Sequence, residues 1–239
     1  MANKIVVANL KMNMLKDDIS KYLKEINNSI HTNKVIICPT NIYIPYFLNK
    51  KFNVGIQDLH YDNDGICTGE VTPKQAKSMG INFSILGHSE RRNYFKEDDE
   101  LINKKVIAST NEGIKTIVCI GETLEERNML KTAKVLRKQL EKDLSGANLN
   151  NVIVAYEPVW AIGSNIMCND VDISKTALYI KQLVKNYFKY DNIKVIYGGS
   201  VNDENISKIA NIKEIDGVLV GGSSMDSSKF LKIVEVACS

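Results

Sequence analysis

Val152-Ile153-Val154-Ala155-Tyr156-Glu157-Pro158-Val159-Trp160-Ala161-Ile162-Gly163 is the stretch from which the fold is read. Its first five residues run apolar, without the polar alternation of a half-solvated strand, as a parallel strand buried on both faces requires. The run then stops at a carboxylate, a proline and a tryptophan. Working outward, seven further short runs have the same character: Ile5–Ala8, Val35–Cys38, Val54–Gln57, Phe83–Leu86, Thr116–Ile120, Lys194–Tyr197 and Val218–Val220.

The segments between these runs have helical spacing. Thr72-Pro73 to Met79-Gly80 carries an N-cap, a proline at the first helical position and a terminating glycine. Leu124–Leu144, rich in Lys, Glu, Leu and Arg, reads as one long amphipathic helix. Ile173–Phe188 follows Asp172 as a cap, with Ala177, Ile180, Leu183, Val184 and Tyr187 on one stripe; Lys229–Val236 forms a short last helix. Eight strands, each followed by a helical segment, point to an α/β, single-domain (β/α)8 barrel over residues 1–239, in line with the roughly 250 residues such barrels use. Periodicity alone leaves an open doubly wound sheet as the alternative. No Pro/Gly/Ser linker divides the chain, so one domain is expected.

Bulk properties narrow the partners. A net charge of +3, with no segment concentrating Lys and Arg, gives no reason to expect nucleic acid. The five cysteines, Cys38, Cys67, Cys119, Cys168 and Cys238, are odd in number and scattered. They argue against a disulfide framework or zinc site and for a reducing compartment. The N-terminal residues lack a secretory apolar region, and no apolar run approaches the ~20 residues of a membrane span. A cytoplasmic protein without membrane association is expected. Redox-cofactor, Walker-loop and metal-ligand signatures are lacking, so no cofactor and no metal are expected.

In a βα barrel the chemistry lies at the C-terminal ends of the strands. There the chain has Asn9-Leu10-Lys11, Gly87-His88-Ser89-Glu90, Glu157, Gly198-Gly199-Ser200 and Gly221-Gly222. The two glycine pairs read as openings of helices, where unobstructed backbone N–H groups approach a phosphate; taken singly, each is equally a tight turn. Glu157 closes an apolar strand, and partial desolvation there makes a carboxylate a better general base; the competing reading is a scaffold salt bridge. His88 precedes a helix start, where the helix N-terminus disfavours imidazolium and leaves a neutral donor. Lys11 is placed to neutralise phosphate or a developing oxyanion, although the chain has many surface lysines. Cys119 has no adjacent activating group and reads as packing, while Met12, Met14 and the aromatic residues read as core or interface. A base, a neutral electrophile, a cation and a phosphate cradle suit proton abstraction beside a carbonyl, and isomerisation without a cofactor is the simplest such reaction.

These residues lie in segments that carry a family resemblance: Asn9-Leu10-Lys11-Met12-Asn13, Thr68-Gly69-Glu70-Val71, Leu86-Gly87-His88-Ser89-Glu90-Arg91-Arg92, Cys119-Ile120-Gly121-Glu122, Ala155 to Gly163, Tyr197-Gly198-Gly199-Ser200-Val201 and Val220-Gly221-Gly222. In that order and over nearly its whole length the chain resembles the triosephosphate isomerases, which have the (β/α)8 TIM-barrel fold. That family is itself the standard worked case of a Glu base, a neutral His and a closing loop. The resemblance implies interconversion of dihydroxyacetone phosphate and D-glyceraldehyde 3-phosphate through an enediol(ate). It makes Glu157 the base, His88 the electrophile, and Asn9 and Lys11 substrate-binding residues. Gly163, Ser200, Gly221 and Gly222 become phosphate contacts, and Ser89 and Glu90 supporting residues, with Glu90 pairing with Lys11. It further implies a lid containing Pro158, Val159, Trp160, Ile166, Met167 and Cys168, and a homodimer in which the loop at Thr68 enters the neighbouring subunit. Other phosphate-binding barrel enzymes, and a catalytically silent relative used for binding or scaffolding, are the rival readings.

The chain departs from the family pattern mainly after Gly163. Where the family usually continues Thr-Gly-Lys-x-Ala-Thr, this chain has Ser164-Asn165-Ile166-Met167-Cys168-Asn169. Asn165 replaces a glycine, which matters if that backbone needs a positive φ. Ile166, Met167 and Cys168 fall at a hinge whose usual residues are small or polar, so altered lid motion is expected. Gln57-Asp58 also stands where Gln-Asn is commoner, and Gly222-Ser223-Ser224-Met225 where Gly-Ala-Ser-Leu is commoner.

Overall fold

The structure, a computed structural model, describes residues 3–163, 166 and 168–238. Eight strands, β1 (Ile5–Asn9), β2 (Val35–Cys38), β3 (Asn53–Ile56), β4 (Phe83–Leu86), β5 (Lys115–Ile120), β6 (Val152–Tyr156), β7 (Lys194–Tyr197) and β8 (Gly217–Val220), pair in chain order. β8 returns to pair in parallel with β1, Val6 opposite Val218, so the sheet closes into a barrel. The open doubly wound alternative is thereby excluded.

Alternate side chains of each strand face opposite sides of the barrel wall. Val7, Cys38, Ile85, Ile117, Cys119, Ala155 and Ile196 belong to a buried cluster inside it. Their neighbours Val6, Ile37, Leu86, Val118, Val154 and Val195 pack outward against the helices. The interior is therefore filled, and the two ends of the barrel are separate surfaces.

Several helix boundaries differ from the sequence expectation, each for a local reason. The segment expected as one helix from Leu124 to Leu144 is two, Leu124–Asn128 and Thr132–Asp143, because Leu130 takes a left-handed conformation with φ 56°. The helix expected to start after Asp172 is Asp170–Phe188; Asn169 is its cap, its side chain accepting the Asp172 N–H at 2.8 Å. Ala177, Ile180 and Val184 of its expected stripe are buried, but Tyr187, on the same face near the helix end, is 56% exposed. The last helix is longer than expected, Ser227–Cys238. Gly198-Gly199 does not open a helix: the next one, Ile206–Ala210, begins several residues later and is a single short turn and a half. Gly221-Gly222 leads into a 3-10 turn, Gly222–Met225. Met12 is 89% exposed and takes no part in the core of the chain, whereas Met14 packs partly against it.

Candidate active site

The C-terminal mouth holds a cavity of about 420 Å³. Asn9, Lys11, His88, Glu157, Gly163, Ser200, Gly221 and Gly222 all line it, although they come from five strand ends spread over the chain. Closure of the barrel, not proximity in sequence, assembles them.

Each polar group is held from behind. Lys11 has φ 50°, a left-handed conformation that a side chain disfavours. Its carbonyl accepts hydrogen bonds from the Thr40 hydroxyl at 2.6 Å and the Gln57 amide at 2.9 Å, while its N–H donates to Asn9 Oδ1 at 3.1 Å. Those three bonds hold the turn, and the Lys11 ammonium pairs with Glu90. His88 caps the helix Ser89–Tyr94 with its own ring, Nδ1 accepting the Glu90 N–H at 3.2 Å. A ring nitrogen that accepts a backbone N–H carries no proton, so the remaining proton sits on Nε2 and the imidazole is neutral. Nε2 points to Glu157 Oε1 at 3.4 Å.

Glu157 is only 2% exposed. Its Oε2 accepts the Ser89 N–H at 3.3 Å, placing the carboxylate at the positive end of the short helix that His88 caps. Two glycines leave room for it. A Cβ on Gly198 would stand 2.8 Å from Glu157 Cγ, and one on Gly121 would stand 1.8 Å from the Glu157 carbonyl oxygen. Neither glycine could be assigned that role from the chain alone, because the contact exists only after β5, β6 and β7 are aligned. Cys119 lies beside Glu157 in the barrel interior; burial first, then that carboxylate, pushes its thiol well up, so it remains a thiol.

On the far side of the cavity the backbone N–H groups of Ser200, Gly221 and Gly222 donate to no protein acceptor among the described residues. A Cβ at Gly222 would meet nothing within 4 Å, so the approach there is open. Three free donors facing one void suit a group with several acceptor oxygens.

The segment expected to form a lid is anchored by residues that sequence reading did not single out for it. Buried Glu122 accepts from Trp160 Nε1 at 3.0 Å and from the Tyr156 hydroxyl at 3.2 Å. Arg127 lies 3.6 Å from Glu122 Oε1, stacks over the Trp160 ring at 4.6 Å and pairs with Asp172 on the following helix. The break at Leu130 ends the helix Leu124–Asn128 just beyond Arg127. Pro158 is buried, Val159 half-buried and Ile166 half exposed, and Cys168 is buried, its thiol pushed up to about 12 chiefly by that burial. Ser164, Asn165 and Met167 lie outside the described residues, and so does the question of a positive φ at Asn165. Thr68 sits in an exposed loop and makes no contact with the mouth of its own chain. Among the described residues, no group of three His, Cys, Asp or Glu side chains is placed to hold a metal ion.

A closed (β/α)8 barrel whose mouth joins a buried carboxylate, a neutral imidazole, a lysine and a glycine-rich set of free N–H groups defines a class, the phosphate-binding barrel with acid–base chemistry. Comparison with known proteins makes the assignment specific. The family model for triosephosphate isomerase matches residues 4–237. The triosephosphate isomerase of Thermodesulfovibrio yellowstonii is 39% identical over 98% of this chain and 100% of its own length. Those of Prochlorococcus marinus and Alkaliphilus oremlandii are 37% and 36% identical, also over 98% of this chain. The chain belongs to the triosephosphate isomerase family.

Proposed function

We propose that this chain interconverts dihydroxyacetone phosphate and D-glyceraldehyde 3-phosphate, with Glu157 as the base. The observation that carries this reading is the pairing of Glu157 Oε1 with the His88 Nε2–H at 3.4 Å across one face of the cavity, with Lys11 also lining it. The substrate phosphate is held by the N–H groups of Ser200, Gly221 and Gly222, with Gly163 closing over it. Glu157 then takes a proton from the carbon beside the carbonyl. The electron pair moves to the carbonyl oxygen, which His88 Nε2–H and the Lys11 ammonium stabilise as the enediol(ate). The hydroxyl proton passes from one oxygen to the other through His88 Nε2, and return of the abstracted proton to the former carbonyl carbon gives the isomer, so no atom or electron is gained or lost. Asn9 positions Lys11, and Ser89 and Glu90 support the two catalytic groups. A coupled assay that follows consumption of glyceraldehyde 3-phosphate tests this directly. Turnover lost in Glu157→Asp and in His88→Gln supports the assignment; an inactive wild-type chain supports a silent binding relative instead.

The barrel, closed by β1 on β8, supports reading residues 1–239 as one catalytic unit. The working form we propose is a homodimer. Met12, Leu15, Ile42, Ile66, Tyr94 and Phe95 are large apolar side chains exposed by 65% or more, more than an isolated soluble surface usually carries. The exposed loop carrying Ile66 and Thr68 is the segment that would enter the partner. Sedimentation of the wild type against Ile66→Glu tests it, and a monomeric wild type overturns it. All five cysteines are free, which supports a cytoplasmic location.

A further inference from the structure

At the opposite, N-terminal end of the barrel lies a second cavity of about 360 Å³. Lys34, Lys115 and Lys194 line it. Two residues on from each stand Ile36, Ile117 and Ile196, all members of the cluster inside the barrel. Because strand side chains alternate with a period of two, the three lysines start on the same, axis-facing side. Lys115 and Lys194 open β5 and β7 and Lys34 immediately precedes β2, so the barrel's curvature brings the three lysines around one hollow from three directions.

No aspartate or glutamate lines that hollow, and none of the three lysines makes an ion pair among the described residues. The adjacent Asp191 is engaged elsewhere, with Lys185 at 3.1 Å. The other polar lining is amide: Asn33 and Asn192, whose side chains make no hydrogen bond with described residues, and Asn150, whose oxygen accepts the Tyr190 hydroxyl and leaves its NH2 group to donate. The floor is apolar, formed by Ile5, Phe83 and Ile153, with the Lys115 ammonium 5.8 Å from the Phe83 ring centre. Ordinary solubilising lysines point away from one another and find carboxylate neighbours. Three that converge without one repel each other, and a multiply charged anion relieves that repulsion.

We propose that this end of the barrel binds a small, compact, multiply charged oxyanion, held by Lys34, Lys115 and Lys194 with the asparagine amides as further donors. The filled barrel interior separates this site from the mouth, so the two bind independently.

Calorimetric titration of the full chain with tripolyphosphate, and in parallel with citrate, tests the assignment. Binding of either probe in the wild type is expected to weaken at least ~10-fold in Lys115→Gln/Lys194→Gln, since each charge-assisted contact is individually strong. Lys115→Arg/Lys194→Arg keeps the charges and is expected to retain affinity, which guards against a misfolded Gln variant. Lys134→Gln/Lys208→Gln removes the same charge from two other surface helices, and Lys11→Gln changes the mouth; both are expected to keep the bottom-site component. Absence of binding by both probes overturns the proposal. So does equal weakening in the Lys134/Lys208 pair, or loss of all binding of both probes in Lys11→Gln.

Discussion

The two ends of this barrel are built by the same rule and differ in one respect. At each end, side chains next to the strand termini are gathered around a hollow of similar size, about 420 Å³ at the mouth and about 360 Å³ at the bottom. At the mouth, charges of both signs are interleaved: Lys11 with Glu90, and Glu157 with the neutral His88. At the bottom the lining charges are three lysines and no acid. A set of like charges attracts a ligand and does nothing further to it. Moving a proton needs a base and a donor held at contact distance but kept from neutralising one another, the roles proposed for the buried carboxylate and the Nε2–H. At the mouth Lys11 stands in a left-handed turn, a cost met by bonds from Thr40 and Gln57.

Four experiments break or sharpen that contrast. The largest effect is expected for Glu157→Asp, which retracts the carboxylate; turnover falls by on the order of 10²-fold or more, because small misplacements of a catalytic group are costly. A rate near wild type in the coupled assay removes Glu157 from the base role. Next comes Gly198→Ala. The new methyl would stand 2.8 Å from Glu157 Cγ, and displacing that carbon by a few tenths of an ångström is expected to lower turnover on the order of 10-fold. An unchanged rate means that the carboxylate does not need its present seat.

Glu122→Leu leaves Trp160 Nε1 and the Tyr156 hydroxyl without their acceptor. Losing hydrogen bonds to a buried charged acceptor costs about 2 kcal/mol. The melting temperature is then expected to drop by roughly 4–8 °C for a chain of this size. Turnover should fall several-fold if the same contacts hold the lid, and a stability loss without a turnover loss separates the two roles. The smallest effect is expected at the hinge. Restoring the family residues at 165–168 should change turnover or methylglyoxal release by no more than a few-fold, as gating steps set many turnover rates. No change in either measurement sinks the idea that this unusual hinge alters lid motion.

The readable parts of the molecule share a physical origin. The run Val152–Tyr156 had to be a buried strand because it is apolar on both faces, and Glu157 stood out because it ends that run with a charge. His88 was recognisable for a related reason, a titratable side chain between a strand and a helix start. Motif order added the family. By contrast, the Leu124–Leu144 pattern continues through Leu130 without interruption, so the break there was invisible to periodicity. Glu122 was quoted only as part of a motif, and its hold on Trp160 joins residues 38 apart in the chain. Thr40 and Gln57 reach the Lys11 carbonyl across separations of 29 and 46 residues. No local pattern encodes such contacts.

The chain by itself determined the number and order of its strands, the family, and which side chains are chemically able to act. Those follow from apolar periodicity and residue type, properties of neighbours in sequence. The tertiary structure alone decided three things. It determined that Glu157 and the His88 Nε2–H face one cavity, that Lys11 is fixed in a left-handed turn, and that three scattered lysines converge at the far end. Each depends on closure of the barrel, because only a closed, tilted sheet brings the ends of non-adjacent strands around a common axis.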